Sequence, residues 1–141
     1  MENKDQKIWL SQKILISRDD GRFLTLRWSK TATSRPLKWD LPGGILGLGE
    51  DMKGAVLREV KEETGLEIKD LKVADAVSAF NDRNEFWASV FYSGKAVGEN
   101  VVLSYEHDDY KWVTLSELLE LETSPRIEEF VRNFKNAQRQ T

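Results

Sequence analysis

The sequence predicts an α/β or α+β domain, on three observations. Short runs rich in β-branched and aromatic residues recur along most of the chain, separated by turn formers. One strongly periodic helix interrupts them, and a second apolar helical stripe closes the chain. The 141 residues suffice for one core and not for two, so residues 1–141 are read as a single domain with its core over about 8–135.

Taken in order, "KIWLSQKILISRDDGRFLTLRW" reads as two strands joined by a turn at Asp19-Asp20-Gly21. The twelve-residue ligand pattern of a calcium loop is missing there. "SKTATSRPLKWDLPGG", residues 29–44, is a long loop ending in a glycine-rich corner, and long loops in compact domains are commonly functional. Asp40, just before the "LPGG" corner, reads as a substrate contact or, more simply, as an ordinary loop acid.

Asp51 can N-cap a helix running to about Thr64, with Gly65 as its stop and Met52, Val56 and Val60 as its buried stripe. At 100° per residue Glu63 lies about 20° from the centre of that stripe, Glu59 about 60° and Glu62 about 120°. Three like charges so placed, roughly 6 Å apart at an effective dielectric near 20, repel by about 3 kcal/mol per pair. A solvated helix screens this. A helix facing a cleft needs a cation.

"LKVADAVSAF" and "EFWASVFYSGKAV" read as strands around the polar turn "NDRN", and "YKWVTL" as another. Thr114 and Glu117 fit a capping box for a short helix. Ser124-Pro125 opens a last helix, with Ile127, Phe130, Val131 and Phe134 as its apolar face.

Composition narrows the function classes. Hydrophobic residues make up 40% and charged residues 32%, as in soluble globular domains. A formal charge of −3 disfavours a non-specific nucleic-acid binder. No cysteine is present, which removes disulfides, thiolate zinc sites and a cysteine nucleophile. No stretch approaches the apolar length of a membrane span, and the first residues lack a signal-type apolar segment. A cytoplasmic protein is expected.

From Gly44 the chain reads Gly44, five residues, Glu50, seven residues, Arg58-Glu59-Val60, one residue, Glu62-Glu63, one residue, Gly65-Leu66. This resembles the Nudix box, G-x5-E-x7-R-E-U-x-E-E-x-G-U with U a bulky aliphatic residue, at every specified position. A chance match has odds of roughly one in ten million at average residue usage. Carboxylates without nearby histidine or cysteine make a hard oxygen site suited to Mg²⁺ or Mn²⁺. Gly43 and Gly44 allow a sharp turn and close backbone approach. Arg58 can fork onto a neighbouring carboxylate.

The resemblance to the Nudix (MutT-like) hydrolases implies an α/β/α sandwich with a mixed β-sheet. It implies a Mg²⁺-dependent pyrophosphohydrolase, Mn²⁺ being a substitute, that cleaves a P–O–P bond in a nucleotide-like di- or triphosphate by activated water. Gly44 (through its carbonyl), Glu59 and Glu63 would be metal ligands, with Glu62 a further ligand, direct or through water. Arg58 would orient the cluster, and Glu50, Gly43 and Gly65 would support the loop and helix. Gly47 and Gly54 stand where many members carry acidic or polar residues. The partner is a small nucleotide-like molecule; no nucleic acid or membrane is expected, and a homodimer is compatible.

Outside the box, Glu106-His107 followed by an aromatic-Lys-Trp pattern is similar to bacterial members acting on dihydroneopterin triphosphate. Several members place their general base outside the box, which makes Glu106 the candidate, with Asp108 and Asp109 as rivals. His107 reads either as an exposed polar residue at a strand entrance or as a substrate contact. Trp28, Trp39, Phe80 and Tyr105 are candidates for stacking on a base or pterin ring, against the ordinary reading of aromatics as core. Candidate substrates are dihydroneopterin triphosphate, 8-oxo-dGTP or other nucleoside triphosphates, ADP-ribose and dinucleoside polyphosphates. A different class, the non-catalytic nucleotide sensor, typically loses box carboxylates; here none is lost.

Overall fold

The computed structural model describes residues 6–139. Seven strands form one sheet: β1 (Ile8–Ser17), β2 (Phe23–Trp28), β3 (Trp39–Asp40), β4 (Gly43–Ile45), β5 (Glu67–Phe80), β6 (Phe86–Val97) and β7 (His107–Val113). Three helices accompany them: α1 (Met52–Thr64), α2 (Leu115–Glu120) and α3 (Pro125–Arg139). The path across the sheet is β3-β2-β1-β6-β5, with β4 paired to β1 and β7 to β2. Only the β1–β6 pairing is parallel, so the sheet is mixed.

Alternation along β1 explains the layers. Ile14 and Ile16 join Leu24, Leu26, Tyr92 and the α1 residues Val56 and Val60 in one apolar cluster. Leu15 faces the opposite way, with Phe91 and the α2–α3 residues Leu115, Leu118, Ile127, Phe130 and Val131. Phe91 stacks on Phe130 at 4.2 Å between ring centroids. The result is helix, sheet, helix, as expected.

The helix signals act as read. Asp51 accepts the Gly54 N–H, and Gly65 ends α1 at a left-handed φ of 74°. Thr114 and Glu117 form the reciprocal capping box of α2. Two strand readings change. The predicted β1–β2 hairpin pairs only at Ser17 and Phe23; β1 instead runs beside β6 for its whole length and beside β4 at Ser11–Lys13. Its two apolar faces suit a central strand better than a hairpin arm. The long loop also contains β3 and β4, which tie the glycine corner into the sheet.

Candidate active site

The divergence of β1 from β2 opens the space in which the glycine corner meets α1. Gly43 has φ 140°, and a Cβ there would overlap the Gln12 carbonyl of the adjacent strand. A Cβ on Gly44 would overlap the Glu59 carboxylate. Glycine is therefore required twice in succession, once for backbone conformation and once to admit a side chain. Gly43 N–H donates to Glu63 Oε1 at 3.2 Å and Oε2 at 3.4 Å.

The three carboxylates differ in burial, following their angular order on the helix. Glu63 is 7% exposed, whereas the side chains of Glu59 and Glu62 are 15% and 60% exposed. Burial pushes the Glu63 carboxyl up to about 8 against the opposing pull of Lys13 and the Gly43 N–H, with Glu59 and Asp40 adding repulsion. Burial likewise raises Glu59, with Arg58 and Lys13 opposing. A buried carboxylate so poised takes up a proton or a cation. Glu62 turns outward to Arg58, which donates to it at 3.1 Å and to Glu50 at 2.8 Å. Arg58 lies 3.8 Å from Glu59 as well. Glu50 also accepts the Gly47 N–H at 2.6 Å, so one carboxylate joins the loop to the helix. A Cβ on Gly47 would approach Glu50 Oε1 at 2.7 Å. At Gly54 a Cβ would approach the cap oxygen of Asp51 at 3.1 Å.

Among the described residues, no three His, Cys, Asp or Glu side chains converge on one point as ligands of a metal would. Glu59 and Glu63 rest against Gly44 and Gly43, and Glu62 on Arg58. The donor set still fits a hard divalent cation. Two carboxylates held away from bulk water, with a backbone corner cut back to glycine beside them, offer oxygen atoms and little else.

Lys13, missed by the sequence reading, and Asp40 lie against this cluster. Lys13 Nζ reaches Asp40 Oδ2 at 3.0 Å. Burial pulls the ammonium down, but Asp40, Glu63 and Glu59 together overcome it and raise its pKa. Asp40 also accepts Trp28 Nε1–H at 2.9 Å and its own neighbour Leu41 N–H at 2.7 Å. It is 9% exposed, so the reading of an ordinary loop acid is corrected. The signal was present: a lysine in the middle of an apolar strand needs an anion.

His107 is also unlike its reading as an exposed polar residue. It is 4% exposed and packs on Trp28 at 4.4 Å between rings. Its Nδ1 has no hydrogen-bond partner among the described residues. Burial, helped by Lys13, brings its pKa down to about 4. Beside it the exposed Glu106 sits at the turn into β7, where its carbonyl accepts the Ser29 N–H at 2.9 Å. The aromatic candidates separate widely. Trp39 is buried at 8% exposure, whereas Phe80 and Tyr105 are exposed at 64% and 90%. Phe80 leans on Phe86 at the far end of β5.

A family model described as NUDIX domain matches residues 9–134. The chain belongs to the Nudix family. This Nudix domain is 30% identical over 106 residues, 75% of its length, to a MutT-like protein of Streptomyces ambofaciens. The match spans 64% of that relative, just under two thirds. Among solved structures it is similar to the MutT protein of Methanosarcina mazei Go1, at 34% identity and a TM-score of 0.81, covering 96% of this chain and 99% of that one. The MutT Nudix hydrolase of Burkholderia pseudomallei follows at 25% identity and TM-score 0.68, with coverage of 85% and 90%. No described helix of this Nudix domain is long and apolar enough to cross a membrane.

Proposed function

We propose that this Nudix domain hydrolyses a P–O–P bond in a nucleotide-like di- or triphosphate, with Mg²⁺ as its cofactor and Mn²⁺ as a substitute. The observation that carries this reading is the seating of Glu59 and Glu63 against Gly44 and Gly43. The Gly44 carbonyl, Glu59 and Glu63 would hold the ion, with Glu62 available once it leaves Arg58. When bound, the ion would neutralise phosphate charge and lower the pKa of water at the reacting phosphorus.

The chain's own residues supply the rest. Arg58 orients the outer carboxylates, and Glu50 keeps the loop at a set distance from the helix. Lys13 adds a fixed positive charge beside the cluster. Glu106, on the neighbouring turn, is the candidate acceptor of the attacking water's proton, since a carboxylate can do this within hydrogen-bond reach. The family names of the relatives support hydrolysis over the sensor reading, as does the complete set of box carboxylates.

The test is a panel of nucleoside triphosphates, ADP-ribose, dinucleoside polyphosphates and dihydroneopterin triphosphate, assayed for phosphate or pyrophosphate release with Mg²⁺. Turnover of at least one, abolished by EDTA and by Glu63→Gln, is expected. Tight nucleotide binding without any turnover would favour the sensor.

A further inference from the structure

Arg126, near the start of α3, is half-buried and pairs with no anion among the described residues. Its Nη1 donates to Ser89 Oγ at 2.7 Å, and its guanidinium carbon stands 5.1 Å from the Trp87 ring centroid. A guanidinium has five N–H donors, yet Ser89 is the one hydrogen-bond acceptor Arg126 has among the described residues. It forms no ion pair there, although Asp40 is near enough to act on it electrostatically. Holding a cation half out of water without a carboxylate is unfavourable unless something else arrives to pair with it.

The neighbours are donors too. Trp87 Nε1 is buried and has no hydrogen-bond partner among the described residues. Ser89 Oγ shares a 2.8 Å hydrogen bond with Ser11 Oγ. One hydroxyl proton fills that bond, and because Arg126 already donates to Ser89, the other proton is free to be donated. This corner therefore presents N–H and O–H groups and calls for a ligand edge made of acceptors.

Its position ties it to the catalytic corner. Ser11 and Ser89 are register partners on β1 and β6, as are Trp9 and Trp87. Lys13, two residues beyond Ser11 on the same strand face and about 7 Å away by strand rise, is the register partner of Gly43. The walls beyond are aromatic. Trp9 stacks on Trp87 at 5.6 Å, and Lys7 Nζ sits 3.8 Å over the Trp9 ring. Aromatic walls suit a flat ring, and a guanidinium fork matches two adjacent acceptors. A guanine-type purine presents such a pair at O6 and N7, whereas adenine puts an amino donor beside N7.

We propose that Arg126, supported by Trp87 and Ser89, reads the base of the substrate and selects a purine whose edge carries two adjacent acceptors. This rests on the reading of the cleft as the place where a P–O–P substrate is held. The test is the tryptophan fluorescence of metal-free protein titrated with guanosine, adenosine and inorganic pyrophosphate. Guanosine is expected to bind about ten-fold or more tighter than adenosine. Arg126→Met should abolish that preference, and so should Arg126→Lys, which keeps the charge and loses the fork. Equal affinity for the two nucleosides in the wild type would overturn the assignment without any variant being needed. So would variants that weaken pyrophosphate and spare guanosine, which would make Arg126 a phosphate ligand. A guanosine preference without hydrolysis of any nucleotide would sink the hydrolase reading alone; equal kcat/KM for GTP and ATP would sink this one alone.

Discussion

The carboxylate of Glu59 occupies the space that a side chain at Gly44 would need. Glycine 44 and glutamate 59 therefore form one unit, although fifteen positions separate them in the chain. Gly44→Ala should displace Glu59 into solvent, which its partial exposure allows, so the fold survives while turnover falls about 100-fold or more. Gly43→Ala faces backbone instead of a movable side chain. It should cost roughly 3 kcal/mol or more of stability. Thermal unfolding and Mg²⁺-dependent turnover, measured on both variants, separate the two effects; an active Gly44→Ala would break the link.

Stability of the metal-free protein should depend on pH through Glu63 and His107, with opposite signs. Glu63 titrates near 8 when folded and near 4.3 when unfolded, so its folded form holds an extra proton between those values. Stability then falls as pH rises through that window. His107 titrates near 4 when folded and near 6.5 when unfolded, so it costs stability as pH falls below about 6.5. Denaturant unfolding in EDTA from pH 5 to 9 should show a decline from pH 6.5 to 8 that flattens in Glu63→Gln. Mg²⁺ should displace the proton, raising Tm more at pH 8 than at pH 6. The same Mg²⁺ shift at both pH values would count against Glu63 as a ligand.

Asp40 should matter more to stability than its place in a loop suggests. Removing it leaves Lys13 and Trp28 Nε1 without their shared acceptor. Breaking a buried pair costs about 3–5 kcal/mol, and Glu63 and Glu59 nearby should hold Asp40→Ala to the lower end. A loss under about 1 kcal/mol in chemical denaturation would mean that Lys13 is satisfied by the box carboxylates alone.

Arg58→Ala should be mild in stability and intermediate in rate. Its side chain is 49% exposed, and exposed ion pairs contribute little to stability. Turnover should fall less than in Glu63→Gln, because the arginine orients carboxylates and does not hold the ion. Steady-state kinetics on the best substrate rank the two; the reverse order would exchange their roles.

Glu106→Gln should lower kcat far more than it changes KM or the Mg²⁺ requirement, as expected for a proton acceptor. Unchanged kcat would move attention to Asp108 and Asp109. Asp108 is the weaker of these, since it is engaged by Arg27 at 2.8 Å.

Local signals were read directly. The Asp51 cap, the Gly65 stop, the Thr114–Glu117 box and the α3 stripe depend on neighbours within a few residues, and all formed where the chain places them. The box carboxylates belong to the same class, because helical spacing alone sets which of Glu59, Glu62 and Glu63 turns toward the core. Sequence by itself thus determined the three helices, the order of burial on α1 and the family. Tertiary structure decided what crosses between distant segments. The choice of β6 over β2 as the main partner of β1 brought Ser11 to Ser89 and Trp9 to Trp87, and it left the gap in which Lys13 meets Asp40. Lysine 13 in its apolar strand signals that it needs an anion, but nothing local says which one, and aspartate 40 and arginine 126 carry no local pattern. Lys13 and Asp40 are 27 positions apart and Arg126 and Ser89 are 37, and only the assembled sheet makes a charge and so distant a partner neighbours.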